Sequence, residues 1–457
     1  DSPILNLSIL GTAGEVTITG DDVDNLTFDG TTNLNKLILT NLDFDTLDLS
    51  AGSIDNIEID TTKTSFDLTG NSLTETIING NALTAVTINS TSPTAELTLT
   101  SSQTTMALTG SISAIDYTNS SLTSIDLSGI TVNDLVLDTT SLATLDTLTS
   151  VATLLNLTTI QNNFNLTTNT PSVTFNGGIA DTLNLTSTLT GTMTLSTLVD
   201  TVDITAATTD FIVNGTNLNN VSGSLNDIDL TATSNGVFNF DVAAGNITYG
   251  NDSGTTLIFS GTTTANSVEI ESTSLTTITT NAATMDSLVY NLGANSTDIT
   301  TNTDQIEVES SGSGSITLQY DGATALDLTL TSLDTAEVTL TTATSVDVNG
   351  DIDTLDITGT SIDTITTNAT TISSLVYNFA ANATNITTNA PTIELESSSS
   401  GSITLSYGGA SALDLTLTTL DSANITLTTA SSLDVEGSLE DLTVIGTSID
   451  TVATELL

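Results

Sequence analysis

The amino-acid sequence predicts an all-β fold, a parallel β-solenoid occupying residues 1–457 as a single elongated domain. Three observations predict it. Aliphatic triplets recur about every ten residues, a block of the chain is duplicated in tandem without a gap, and the composition lacks the large rings of a globular core. The hydrophobic fraction is 37% but aromatics reach only 4%, with no Trp. Since rings bury the most area per residue, their scarcity points to a narrow interior of stacked Leu, Ile, Val and Ala.

The triplets have the form apolar-x-apolar. Early ones are Leu7/Ile9, Val16/Ile18, Leu37/Leu39, Leu47/Leu49, Ile57/Ile59 and Phe66/Leu68; later ones include Leu97/Leu99, Ile125/Leu127 and Leu135/Leu137. A period of two sends the paired side chains to one face and the residue between them, commonly Thr, Asp or Glu, to the other. Each triplet therefore reads as a short strand with one buried face. A further apolar residue often stands three positions upstream, as in Leu122-Thr123-Ser124-Ile125-Asp126-Leu127 and Ile54-Asp55-Asn56-Ile57-Glu58-Ile59. This L-x-x-L-x-L string resembles the strand of a leucine-rich repeat, but a spacing of about ten residues leaves no room for that repeat's returning segment.

The longer period is a duplication. Residues 274–360 align with 361–447 at an offset of about 87, and 448–457 open a third copy. Leu288-Val289-Tyr290-Asn291 returns as Leu375-Val376-Tyr377-Asn378, and Ala325-Leu326-Asp327-Leu328 as Ala412-Leu413-Asp414-Leu415. Each block holds about nine strands. In a two-sided roll that is about four and a half coils, with the copies on opposite faces; in a three-sided helix it is three whole coils of about 29 residues. Whole coils keep a duplication in phase, so the expectation is a three-sided β-helix, with the two-sided β-roll as runner-up.

Antiparallel hairpins would require Asn-Gly or Asp-Gly at most strand ends, whereas most junctions are Thr, Ser and Asn runs. Pro3, Pro93, Pro171 and Pro391 all avoid triplet interiors, as expected where every strand donates to a neighbour. Asp1–Leu10 reads as an apolar edge strand able to pair with another copy. Its opening residues lack the layout of a signal peptide, and no run suits a transmembrane helix.

Charge restricts the partners. Against 54 Asp plus Glu stand two basic residues, Lys36 and Lys63, with no Arg or His, for a formal charge of −52. Phosphate backbones and anionic membranes both need a basic footprint, so no nucleic acid and no membrane insertion is expected. Regular aliphatic spacing argues against disorder. Without Cys there is no disulfide framework or thiolate site. Missing Cys rules out only disulfide-stapled secretion, and export from a bacterial or archaeal cell is the expectation.

No Gly-rich phosphate loop, His triad or HExxH can be written from the sequence, and carboxylate pairs of the glycoside-hydrolase kind carry no information where Asp and Glu abound. The chain is therefore expected not to be an enzyme, and no catalytic or cofactor-binding residue is assigned. Asp recurs at the centre of triplets, as Asp48, Asp67, Asp116, Asp126, Asp327, Asp347 and Asp356. Where two of these stack on adjacent coils, like charges about 5 Å apart repel, and calcium would relieve the repulsion. Calcium is thus the expected cofactor, with its ligands unassigned. Strings such as Thr98-Leu99-Thr100 and Thr329-Leu330-Thr331 could form flat threonine arrays like those of ice-binding solenoids, although Thr is also an ordinary outward strand residue. Sequons at Asn6, Asn25, Asn89, Asn156, Asn165, Asn184, Asn295 and Asn424 offer sites for N-linked sugar.

Phrases such as Leu122-Thr123-Ser124-Ile125-Asp126-Leu127-Ser128-Gly129, the near absence of basic residues and the lack of Cys resemble the repetitive β-solenoid regions of bacterial and archaeal surface-layer proteins, RTX-type adhesins and secreted filament subunits. Ala453-Thr454-Glu455-Leu456-Leu457 looks like a type I secretion terminus, while the RTX nonapeptide is missing. The resemblance implies an extracellular, calcium-dependent structural protein that self-assembles into a surface layer, sheath or filament. Its principal partner is itself, with cell-surface polysaccharide as a further one. An adhesin stalk or ligand-binding solenoid, ice-binding included, is the alternative.

Overall fold

The computed structural model describes residues 6–19, 25–42, 44–70, 73–90, 94–139, 141–147, 151–159, 163–177, 182–189, 191–197, 201–206, 209–215, 218, 220–225, 227–232, 237–250, 255–260, 263–280, 284–293, 296–379, 383–430, 432–447 and 449–456. No described residue is helical, and the described strand pairings are parallel. The chain divides into two compact units, Asp1–Asn226 and Asp227–Leu457. Each is a parallel β-solenoid, as the triplets predict.

In the first unit Leu37 pairs with Ile57, Ile57 with Thr76, Thr76 with Leu97 and Leu97 with Ile115. Between these passes runs a second ladder, in which Leu47 pairs with Leu68 and Phe66 with Val86. The second unit repeats the scheme. One ladder runs Ile278, Ile299, Leu318, Val338, Ile357, Tyr377, and the other Val268, Leu288, Ile306, Leu328, Val348.

Partners lie 18 to 22 residues apart, with one other strand pass between a residue and its counterpart. The coil is therefore the two-sided one of about 20 residues, and the three-sided coil of about 29 is corrected. The error lay in requiring the duplication to span whole coils. Nine passes at two per coil make four and a half, so Leu288 and its copy Leu375 stand in opposite ladders. Both sides carry the same inward pattern, so an insertion half a coil out of phase still places aliphatic side chains on aliphatic side chains.

The interior is a double file of buried side chains. Leu37, Leu39, Ile59, Leu97, Leu288, Leu328, Leu355 and Leu415 are all fully buried, each contributing about 1.5–3 kcal/mol relative to an exposed position. The few rings are placed where they fit: all six Tyr are buried, and Phe238, Phe240, Tyr249 and Phe259 form one cluster with centroids 5.0–5.8 Å apart. The residue three positions upstream of a triplet, such as Ile54 or Leu122, turns inward to fill the corner.

Corners impose their own chemistry. Gly350 and its copy Gly437 have φ of +102° and +123°, and a Cβ there would lie 1.9 and 1.8 Å from the carbonyl oxygens of Leu330 and Leu417 one coil earlier. Only glycine fits. At the same corner one coil earlier Ser332 and its copy Thr419 adopt φ of +59° and +60°, left-handed conformations that cost a β-branched residue most. Pro171 and Pro391 directly precede strands Ser172–Gly177 and Thr392–Tyr407 and offer only their carbonyls, to Thr194 and Asp414. Pro3, Pro93 and residues 1–5 of the expected N-terminal strand lie outside the described residues; Asn6–Ile9 is a strand paired with Asn25–Phe28.

Candidate functional site

Every outward residue of a solenoid strand belongs to a column running from coil to coil about 4.8 Å apart, so the chemistry of the surface is the chemistry of its columns. Asp327 and Asp347 occupy one column in direct register, with Gln305 before them and Thr366 after. Burial, then the charge of Asp327, pushes the Asp347 carboxyl above the ordinary carboxylate value, and Asn368 Nδ2 donates to Asp347 Oδ1 at 3.1 Å. Asn349 Nδ2 donates to Asp327 Oδ1 at 3.4 Å. Their copies Asp414 and Asp434 are again in register, on the opposite side of the coil.

Asp356 stacks on Glu337. Burial first, then Glu337, raises its carboxyl, while Asn378 donates to it at 3.4 Å. The other predicted aspartates are not brought together. Asp48 neighbours Thr69, Asp67 lies between Thr46 and Thr87, Asp116 between Thr98 and Val136, and Asp126 beside Ala107. The Ser50 and Ser128 side chains first, then their backbone N–H groups, which donate to Asp48 at 2.8 Å and to Asp126 at 2.9 Å, hold these two carboxyls below the ordinary value.

Two acidic stacks escaped the triplet reading. Glu75 pairs with Glu96, and Glu436 with Glu455. Glu75 and Glu96 each stand one residue before the inward pair rather than within it. An acid immediately ahead of two strands one coil apart is the signal that would have found them.

Lys36 lies between Glu15 and Asn56 in its column, and its Nζ donates to Glu58 Oε2 at 3.0 Å; that contact raises the ammonium's pKa. The shallow groove over Ser287, Val289, Glu307, Asp327 and Thr329 is open to solvent along the outward face.

Calcium binds about six to eight oxygens. Among the described residues no three acidic groups converge to hold a metal; the stacked pairs bring acids together two at a time. They offer two carboxylates per pair, enough only for an ion that keeps most of its water. The threonine strings named above do not stack into arrays: Thr98 stands between Ile77 and Asp116, and Thr329 between Glu307 and Asn349. Of the sequons, Asn165 and Asn184 are adjacent in one column, with Asn184 Nδ2 donating to Asn165 Oδ1 at 2.7 Å. Among the described residues, no helix is long and apolar enough to cross a membrane.

No protein family, curated protein or solved structure matches the chain.

Proposed function

We propose that this chain is an extracellular structural protein that assembles with copies of itself into a surface layer, sheath or filament, and that it is not an enzyme. One observation carries the reading: the duplicated block repeats its outward columns half a coil out of phase, so related surfaces occur on both flat sides of the same unit. A subunit with contacts on two opposite sides can join neighbours in series, which a catalyst with one recess has no need to do. The columns are built from Thr, Asn, Asp and Glu in register rather than from groups converging on one point.

Calcium enters this proposal as a hydrated counter-ion shared between stacked carboxylates and between neighbouring copies. At physiological salt the Debye length is about 8 Å, so monovalent ions screen distant charges but leave adjacent ones repelling. The test is light scattering with negative-stain microscopy on purified protein, stripped with chelator and then given calcium or magnesium at equal ionic strength. Regular polymers favoured by calcium are expected. A protein that stays monomeric at high concentration with calcium present overturns the structural reading; polymers indifferent to both ions remove calcium from it.

A further inference from the structure

The two copies of the block differ most informatively on one outward column. In the first copy it runs Thr277, Asp298, Thr317, Glu337, Asp356. In the second, the same positions read Thr364, Asn385, Thr404, Asn424, Thr443, again in register on successive coils. All three acids have been replaced by uncharged residues, and these five are exposed. The neighbouring column, Thr366, Thr387, Ser406 and Thr426, is uncharged as well. On the other side of these coils stand Glu394, Asp414, Asp434, Glu436 and Glu455. The adjoining column on the other flank, Ser402 and Ser422, ends in exposed Asp441 where the first copy has Thr354, and the Thr366 column abuts Asp347. The second copy therefore has one flat face whose columns are uncharged from Thr364 to Asn424, with acids only at its two ends, and one acidic face, in a chain with a formal charge of −52.

We propose that this face, uncharged over its central coils, is where two copies of the chain meet, face to face about a two-fold axis. The proposal rests on the self-assembly reading above and names the surface that performs it. Charge decides the occupant. Two copies approaching through any acidic column bring like charges together, which costs several-fold to many-fold in affinity, whereas the Thr and Asn columns carry donors and acceptors on both partners and no charge on either. In a two-fold contact every residue is used twice, so each neutralised acid removes repulsion from both sides at once. Five coils about 4.8 Å apart and a strand of about 17 Å give a face of roughly 350 Å², below the roughly 800 Å² per partner of a stable complex. The contact is accordingly weak and concentration-dependent, suited to repetition in an array. A shorter uncharged run in the first unit, Asn156, Thr174 and Ser196, has no charged copy for comparison.

The test uses full-length protein from a host without N-glycosylation, since Asn385 and Asn424 both lie in sequons. The variant Asn385→Asp/Asn424→Glu/Thr443→Asp installs the residues that the first copy already carries on the same backbone, so the fold is retained. Sedimentation equilibrium is expected to show association weakened by about tenfold or more. The reciprocal variant Asp298→Asn/Glu337→Asn/Asp356→Thr creates a second uncharged face on the opposite side and is expected to extend dimers into longer assemblies. Because the chain has no Cys, Thr404→Cys at the array centre is expected to cross-link copies on mild oxidation, and Thr317→Cys in the first copy is not. Wild-type assembly unchanged by the triple substitution, with equal cross-linking at both positions, overturns this face while leaving self-assembly intact. A wild-type monomer at all concentrations overturns both. Retention on ice or on an insoluble polysaccharide by such a monomer, lost in the triple variant, assigns the face to that ligand instead of to a second copy.

Discussion

Asp347 stands over Asp327, one coil on, with their backbones in register. Burial and this neighbour hold the Asp347 proton more tightly than an unfolded aspartate would, and burial and Glu337 do the same for Asp356. A native state that binds protons more tightly gains stability as the pH falls. The gain begins as pH drops through the raised value and is complete below the ordinary 3.8; it is lost as pH rises. Asp48 and Asp126 have the opposite sign, losing stability below that same value, but they are exposed and their effect is small. Melting temperature is therefore expected to rise as the pH is lowered from neutrality toward the ordinary 3.8. Asp347→Asn is expected to raise it at pH 7 and to flatten the profile; a lower melting point for that variant at pH 7 would contradict the argument.

Thr76 takes an inward position that its ladder neighbours Ile57 and Leu97 fill with hydrocarbon, and its Oγ1 is buried without a hydrogen-bond partner among the described residues. An unsatisfied buried hydroxyl costs about 1–3 kcal/mol. Thr76→Val keeps the shape and removes the cost. Denaturant titration is expected to show stabilisation of about 1 kcal/mol, and a destabilised variant would show that the hydroxyl has a partner.

Glycine at the corner is required by both φ and space. Gly350→Ala places a methyl against the Leu330 carbonyl and is expected to destabilise by more than about 2 kcal/mol, whereas a Cβ at Gly14 meets nothing within 4 Å, and Gly14→Ala should be near neutral. Thr419→Gly relieves the left-handed strain at φ +60° and is expected to stabilise by about 1 kcal/mol. Equal effects of the two alanine substitutions in thermal melts would refute the corner assignment.

Leu328 and its copy Leu415 are fully buried in opposite ladders. Replacing either by Asp leaves an unpaired charge in the file, at a cost of about 3–5 kcal/mol. Hydrogen exchange is expected to show loss of protection in the affected and adjoining coils, with distant coils unchanged because each coil touches only its neighbours. Uniform loss along the chain would mean that the coils do not behave as local units.

Strand identity was legible in the sequence because it is local: Leu326, Leu328 and Leu330 alternate with outward residues, and that alternation is all a buried face needs. Coil size was not. Whether Ile278 pairs with Ile299 or with a strand one pass further on depends on how sharply the intervening corners turn, and the corner that decides it, such as Gly350 against the Leu330 carbonyl, is a contact between coils. The candidate surface was half legible. Asp327 and Asp347 were both marked as outward aspartates, but their adjacency, and the separation of Asp116 from Asp126, follow from coil length alone.

The half-coil offset between Leu288 and Leu375 also gives the architecture a parity. Adding one block of this length to such a chain exchanges left for right: whatever surface follows appears on the other flank. Adding two restores it. Gene duplication in steps of this unit would therefore alternate between lengthening a subunit with its flanks exchanged and lengthening it with them preserved, without any change in the buried file. Chains of the same composition but odd and even block number would present the same stripes on exchanged flanks to their neighbours, and block count alone would set which flank meets which.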